Sequence, residues 1–185
     1  MRTFIAIELP EPIRRELAAL GAALRQSGVR ASWVTADRIH LTLRFLGEID
    51  PEDADHLSEI LTQHYAGHES FRLRVAGVGA FPNLKRPSVV WVGVGPSEGG
   101  LSSAHAIAET AAQTIGLAPE KKRFNAHLTL ARVREARDIA PLVELITRHS
   151  GFCGGEFDVT GVALFSSKLT PNGPVYKRLK DFLFR

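Results

Sequence analysis

The tetrapeptide His-Leu-Thr-Leu occurs twice, at residues 40–43 and 127–130, and this repeat constrains the fold more than any other feature of the chain. In an extended strand successive side chains point to opposite faces, so His and Thr share one face while both Leu share the other. Each copy therefore presents an imidazole and a hydroxyl on one side and anchors itself in a core on the other. The sequence predicts two half-buried strands.

The elements around the two motifs also repeat. The motifs begin 87 residues apart, and each half reads as strand, helix, histidine strand, helix and strand at nearly matching offsets. The predicted elements are, in chain order, residues 3–9, 11–27, 39–46, 51 onwards and 71–75, then 88–94, 101–115, 123–132, 138–148 and 157–165, with a last strand at 175–184. An internal duplication of a single domain explains this pattern, with halves of about residues 1–85 and 86–185. A pseudo-twofold axis between the halves would bring both motifs into one site.

Composition excludes several classes of protein. No apolar run approaches the length that spans a membrane, and a strand-like pattern starts at once without room for a leader, so we expect a cytoplasmic protein. Cys153 is the single cysteine, which excludes an intramolecular disulfide and a cysteine zinc site, and we expect a small buried side chain there. The net charge of +3 weakly favours an anionic partner.

Two facing copies of the motif would combine two imidazoles with two hydroxyls. Near neutral pH, His40 and His127 could act as a proton acceptor and a proton donor towards a substrate. Thr42 and Thr129 could donate hydrogen bonds to an anionic group such as phosphate. A single copy of the motif is usually a surface or core feature without a catalytic role. Packing requires only the leucines to recur, so the recurrence of the histidine and the threonine points to chemistry on that face. No third ligand stands at a suitable spacing from the two histidines, so we expect no metal and no other cofactor. The remaining histidines lack this context and are expected in solvated positions: His56, His64, His68, His105 and His149.

Further short segments around the motifs carry a family resemblance. They are residues 2–7, 9–10, 33–34, 45–47, 86–87, 91, 124, 131–132, 164–167 and 173–176. With the paired motifs, they resemble the two-histidine phosphoesterase superfamily, and within it the bacterial and archaeal RNA 2′,3′-cyclic phosphodiesterases, also described as 2′–5′ RNA ligases. The similarity covers essentially the whole chain. One departure is Ala126, where the family usually has proline; proline there would only restrict the backbone, so we expect the activity to survive.

The resemblance implies a bilobal α+β fold, with an antiparallel sheet and helices in each half and a cleft between the halves. It also implies metal-independent hydrolysis of RNA 2′,3′-cyclic phosphate ends, or of small cyclic nucleotides, to 2′-phosphates. One neutral and one protonated imidazole would supply the proton acceptor and the proton donor. We assign His40 as the general acid and His127 as the general base, although pseudo-symmetry makes the two nearly interchangeable. We expect a monomer that binds no membrane.

Phe45 and Arg132 are the nucleotide-binding positions that the resemblance implies. Each lies five residues after its histidine, so the two are equivalent in the repeat. Arg132 could bind phosphate or stack on a base, and Phe45 could stack on a base or simply pack in the core. An odd offset places both on the face opposite the histidines unless a bulge intervenes. Arg44 has the correct parity and is a competing phosphate contact.

Two other functions fit the same residues. The first is 2′–5′ RNA ligation, essentially the reverse reaction from a cyclic phosphate and a 5′-hydroxyl, and it would use the same site. The second is a non-catalytic module that binds RNA ends. Such a module would tolerate the loss of one histidine or threonine, whereas this chain keeps all four.

Overall fold

The computed structural model describes residues 1–96, 99–135, 138–171 and 173–185. Within these residues the chain forms nine β-strands and four α-helices. In chain order they are β1 (Arg2–Glu8), α1 (Glu11–Arg25), β2 (Ala31–Trp33), β3 (His40–Glu48), α2 (Pro51–Tyr65), β4 (Phe71–Phe81), β5 (Val89–Gly95), α3 (Gly100–Thr114), β6 (His127–Val133), α4 (Ala140–Arg148), β7 (Cys153–Val159), β8 (Gly161–Thr170) and β9 (Gly173–Leu183). A 3-10 helix at Ala36–Arg38 leads from β2 into β3.

The strands form two antiparallel sheets, which confirms the predicted bilobal α+β fold. The first sheet has the order β3-β1-β8-β9 and the second has the order β2-β6-β5-β4-β7. The sheets do not divide near residue 85, because β4 joins the second sheet while β8 and β9 return to complete the first. β1 and β3 alone would form a two-stranded sheet, which is marginally stable in water. Each sheet therefore contains strands from both halves of the sequence.

The helices form where apolar residues recur on one face. In α1 the buried positions are Ile13, Leu17, Leu20 and Leu24, as their spacing predicts. The second helix begins at Pro51 as expected. Residue 138 is expected to cap the last helix, but the helix begins at residue 140 and its N-cap is Ile139. Asp138 has φ of 49°, a left-handed conformation outside the helix.

The strand predicted at residues 157–165 is two strands in different sheets. β7 pairs with β4 at the edge of the second sheet, and β8 pairs with β1 in the first. Gly161 lies at the crossing, where a Cβ atom would come within 2.6 Å of the Phe182 carbonyl oxygen. The sequence hides this break because the apolar pattern continues across it. Cys153 lies at the start of the edge strand β7 and is exposed, so the expectation of a buried thiol is wrong.

The main core lies behind the two motifs. The four motif leucines are buried in it as predicted: Leu41, Leu43, Leu128 and Leu130. Tyr65 is also buried there, and its hydroxyl donates a hydrogen bond of 2.7 Å to the Ala104 carbonyl oxygen, which joins α2 to α3. No helix among the described residues is both long and apolar enough to cross a bilayer.

Candidate active site

The two motif strands lie beside each other where the sheets meet. β3 is an edge strand of the first sheet and contacts β6 of the second without forming a ladder with it. The chain itself links the sheets, because it passes from β2 of the second sheet into β3 of the first. Just after β2, the Val34 amide donates a hydrogen bond of 2.8 Å to the Leu130 carbonyl oxygen of β6. In both motifs the histidine and threonine are half-buried while the leucines are buried. The fold thus brings both motifs to one junction.

Each motif histidine is oriented by an equivalent hydrogen bond to the backbone. Nδ1 of His40 lies 2.8 Å from the carbonyl oxygen of Arg38, and Nδ1 of His127 lies 2.7 Å from that of Asn125. A carbonyl oxygen can only accept, so Nδ1 carries the hydrogen and donates it in each residue. The neutral rings therefore keep a free lone pair on Nε2. That atom is the one available for proton transfer.

His40 lies among aromatic rings of the first sheet. Phe4 stacks on its imidazole with centroids 4.7 Å apart, and Tyr176 meets it edge-on at 5.3 Å. Burial lowers the pKa of His40 below 6.5, although its hydrogen bond to the Arg38 carbonyl and the charge of Glu8 oppose this shift. At neutral pH the free protein therefore holds His40 mainly in the uncharged form.

His127 has an aromatic neighbour from the second sheet. Phe81 meets its ring edge-on at 5.0 Å and also contacts Trp91 at 5.3 Å. Trp91 lies directly over Gly79, where a Cβ atom would be only 2.3 Å from the indole. A side chain at residue 79 would therefore displace the tryptophan, which explains the glycine in this strand.

A β-bulge interrupts each motif strand at the same place. In β3 the bulge is at Leu43, because Ile5 pairs with Arg44 and Ala6 with Thr42. In β6 the bulge is at Leu130, since Val90 pairs with residue 131 and Trp91 with residue 129. Each bulge makes two successive residues point into the protein and shifts the parity of those that follow.

The bulges place Phe45 and Arg132 on the same face as the histidines. Both side chains are exposed; Phe45 is 56% accessible, so core packing is the wrong interpretation of this residue. Its ring lies 6.0 Å from that of Phe4, which in turn stacks on His40. The structure thus brings Phe45 close to the first histidine.

Arg44 is not a phosphate contact, and that prediction is wrong. The bulge turns its side chain inwards, where it is only 8% exposed. Its guanidinium pairs with Glu109 and Glu120 and donates a hydrogen bond to the Ala118 carbonyl oxygen. Arg44 would share the face of His40 and Thr42 only in a regular strand, and the bulge at Leu43 removes that regularity.

Sequence reasoning missed Phe4 and Tyr176, which lie beside His40. Burial raises the pKa of Tyr176, while the positive charges of Arg132, Arg38 and Arg2 oppose that shift. Tyr176 of β9 therefore lies within electrostatic reach of Arg132 on β6, across the junction of the sheets. A cavity of about 230 Å³ adjoins these rings and His40. Phe4 lies on β1, between β3, which carries His40, and β8, and Tyr176 lies on β9 at the far side of β8. The sequence pattern does not show this strand order.

The remaining histidines differ in their surroundings. His56 and His64 are exposed as expected, whereas His105 and His149 are half-buried. His68 is buried, so the expectation of a solvated position is wrong there. Among residues 1–96, 99–135, 138–171 and 173–185, no group of three or more His, Cys, Asp or Glu side chains is arranged to hold a metal ion.

Comparison with known proteins places these features in a family. The family model "LigT like Phosphoesterase" matches residues 7–91 and 93–176. The chain is 38% identical to a protein of Aeropyrum pernix over 89% of this chain and 93% of that one, and 35% identical to a protein of Archaeoglobus fulgidus over 98% and 99%. Both relatives are named RNA 2′,3′-cyclic phosphodiesterase.

Crystal structures of similar proteins share the fold. A Thermus thermophilus protein superposes with a TM-score of 0.86 at 30% identity, covering 100% of this chain and 98% of that one. E. coli LigT complexed with 3′-AMP superposes with a TM-score of 0.79 at 28% identity, covering 99% and 97%.

Proposed function

Because the chain belongs to the LigT-like phosphoesterase family, we propose that it hydrolyses RNA 2′,3′-cyclic phosphate ends to 2′-phosphates without a metal ion. The observation that carries this proposal is the pair of equivalent histidines on adjoining strands, each with Nδ1 bonded to the carbonyl two residues earlier. Such a pair leaves two Nε2 atoms for proton transfer. The named relatives of the chain support the choice of substrate.

The mechanism needs one neutral and one protonated imidazole. Nε2 of His127 takes a proton from water as the water oxygen attacks phosphorus, and Nε2 of protonated His40 gives its proton to the departing 3′ oxygen. The P–O3′ bond breaks as the new P–O bond forms, which leaves the phosphate on the 2′ oxygen. Burial lowers the pKa of His40, so its imidazolium is a stronger acid, and the charge of a bound phosphate favours the protonated form.

The neighbouring side chains suit the anionic transition state and the nucleotide. Thr42 and Thr129 lie on the histidine face of their strands and donate hydrogen bonds to the non-bridging oxygens, whose charge grows during attack. Phe45 is exposed on that face and stacks on a base, while Arg132 binds phosphate or stacks on a base. The proposal includes a cytoplasmic location, where RNA ends are available as substrate. It also includes a monomeric state, which light scattering would check.

The test uses a short RNA with a 2′,3′-cyclic end, incubated with the purified protein in EDTA and followed by 31P NMR. Hydrolysis is expected to continue in excess EDTA and to yield a 2′-phosphate. Turnover that stops in EDTA and returns with a divalent ion would contradict the metal-free mechanism. A parallel sample with a 5′-hydroxyl RNA acceptor measures 2′–5′ ligation, and joined product in preference to hydrolysis would make ligation the main reaction. Binding without turnover would identify a non-catalytic module.

A further inference from the structure

The buried Arg44 joins the first motif strand to the helix of the other half. Its Nε lies 2.7 Å from Oε2 of Glu109 on α3, a close ion pair with poor hydrogen-bond alignment. Its Nη1 lies 3.3 Å from Oε2 of Glu120, and its Nη2 donates to the Ala118 carbonyl oxygen at 2.6 Å. Nη1 also donates to the Phe45 carbonyl oxygen at 3.1 Å. The guanidinium thus fixes the bulge from behind, next to the residue that faces the site.

The same helix, α3, contacts the segment that precedes the second histidine. Glu109 and His105 are one turn apart on α3, and the negative charge of Glu109 acts on His105. The His105 ring stacks on Phe124 with centroids 4.1 Å apart and an angle of 18°. Phe124 precedes Asn125, whose carbonyl oxygen accepts the Nδ1 hydrogen of His127. We call the four residues Arg44, Glu109, His105 and Phe124 the α3 bridge.

The charges within the α3 bridge are complementary at neutral pH. Burial raises the pKa of Glu109, but hydrogen bonds from the Glu120 amide and the Gln113 side chain, together with the charge of Arg44, outweigh it, so the net shift is downward. Burial lowers the pKa of His105. Arg44 therefore faces an ionised Glu109, and His105 stacks as a neutral ring.

The two bulges are held differently. In β6 the residue that corresponds to Arg44 is Ala131, which is fully buried and carries no polar group. Burying a guanidinium is costly unless its partners are in place, so a charged residue at the β3 bulge is not required for packing alone. Its cost suggests a role in the conformation of the neighbouring Phe45.

We propose that Arg44 and Glu109 are positioning residues for catalysis on RNA cyclic-phosphate ends. Arg44 holds the β3 bulge so that Phe45 points at the nucleotide, and its pair with Glu109 fixes the position of α3. The His105 ring on this helix then stacks on Phe124 and keeps the neighbouring Asn125 carbonyl aligned with His127. The inference rests on the proposed function for its kinetic test. Neither residue touches the reacting atoms.

A double-mutant cycle tests the Arg44 half of the α3 bridge. Arg44→Met and Phe45→Ala are each expected to raise KM for the cyclic-phosphate RNA by about tenfold, which is within the range that base stacking contributes. The double variant should be no worse than the worse single variant, because both changes remove the same contact. Arg44→Lys should recover part of the loss. Multiplying effects, or an unchanged KM with a lower melting temperature, would overturn the proposal.

The matched control is Arg72→Met. Arg72 pairs with Asp158 at 2.8 Å on the exposed faces of β4 and β7 and is part of neither the bridge nor the site. KM should not change in this variant. A similar rise in KM would show that removing any arginine ion pair weakens substrate binding, which contradicts a specific role for Arg44. If Arg44→Met does not fold, Arg44→Lys in the Phe45→Ala background provides the same cycle.

A measurement without substrate tests the Glu109 half. In wild-type protein the His127 Nδ1 hydrogen should be visible by NMR and protected from exchange by its bond to Asn125. Glu109→Gln and His105→Ala are expected to speed its exchange and to lower kcat more than they raise KM. Unchanged exchange would overturn this half, whether or not the protein hydrolyses cyclic phosphate. Lack of wild-type hydrolysis would instead contradict the proposed function.

Discussion

At the scale of single residues, the pair of histidines combines equal orientation with unequal surroundings. Each ring is fixed by a hydrogen bond from Nδ1 to the carbonyl oxygen two residues earlier. This equivalence is expected for two copies of one motif. The neighbours differ, since His40 is stacked on Phe4 whereas His127 meets Phe81 edge-on. The sequence could indicate which residues pair but not this difference, because the flanking rings come from strands whose neighbours only the fold reveals.

The lowered pKa of His40 leads to a pH-dependent prediction. Burial lowers this pKa below 6.5, so NMR titration should give a midpoint below 6.5, with the resonance assigned by its loss in His40→Asn. Tyr176→Ala should expose the ring and move the midpoint upwards. Because the folded pKa is below the unfolded one, this residue's contribution to the unfolding free energy is present above pH 6.5 and is lost as pH falls through the folded pKa. A midpoint above 6.5 in wild-type protein would contradict this account.

At the scale of elements, the two bulges decide what each motif strand presents. The motif predicts which residues are buried as far as Leu43 and Leu130, and it fails at the next position because one extra residue reverses the parity. Phe45 and Arg132 could be matched to a resemblance, yet their offset could be understood only with a bulge. Arg44 was misplaced for the same reason. The break between β7 and β8 was also hidden, since no turn residue apart from Gly161 marks it.

A pair of glycine substitutions tests the packing of the second sheet. Gly79→Ala would place a methyl group within 2.3 Å of Trp91, and overpacking of this kind costs about 1–3 kcal/mol. Gly21→Ala is the control, because no atom lies within 4 Å of the added group in α1 and alanine favours a helix over glycine by about 0.5–1 kcal/mol. Urea unfolding should show a lower midpoint for the first variant and a higher one for the second. Equal changes would mean that Trp91 does not occupy this position.

At the scale of the whole molecule, the halves of the sequence are interlocked rather than side by side. The repeat predicted most of the strands and helices, but it missed β2 and merged β7 with β8. The duplication itself stays a prediction. The sheets exchange strands, because β4 crosses into the second sheet and β8 returns to β1. Pattern alone could not show this, since the alternation of side chains indicates which face of a strand is buried but not which sheet the strand joins.

The exchange of strands predicts one cooperative unfolding transition. Neither sheet is complete without strands from both halves, so no half should remain folded when the other opens. Tryptophan fluorescence follows the second sheet, because Trp33 and Trp91 lie on β2 and β5, while far-UV circular dichroism follows all elements. The two urea transitions should coincide. Two separated transitions would instead indicate independently folding halves.

The central claim is that His40 and His127 act as one proton-transfer unit on a cyclic phosphate. Its most direct test compares the turnover of a 2′,3′-cyclic RNA end in EDTA by His40→Ala, by His127→Ala and by the double variant. Each single change should lower kcat by about 10²–10⁴-fold, and the double variant should be little worse than either, because each loss alone disables the unit. Near-normal turnover in either single variant, or losses that multiply in the double variant, would contradict the claim.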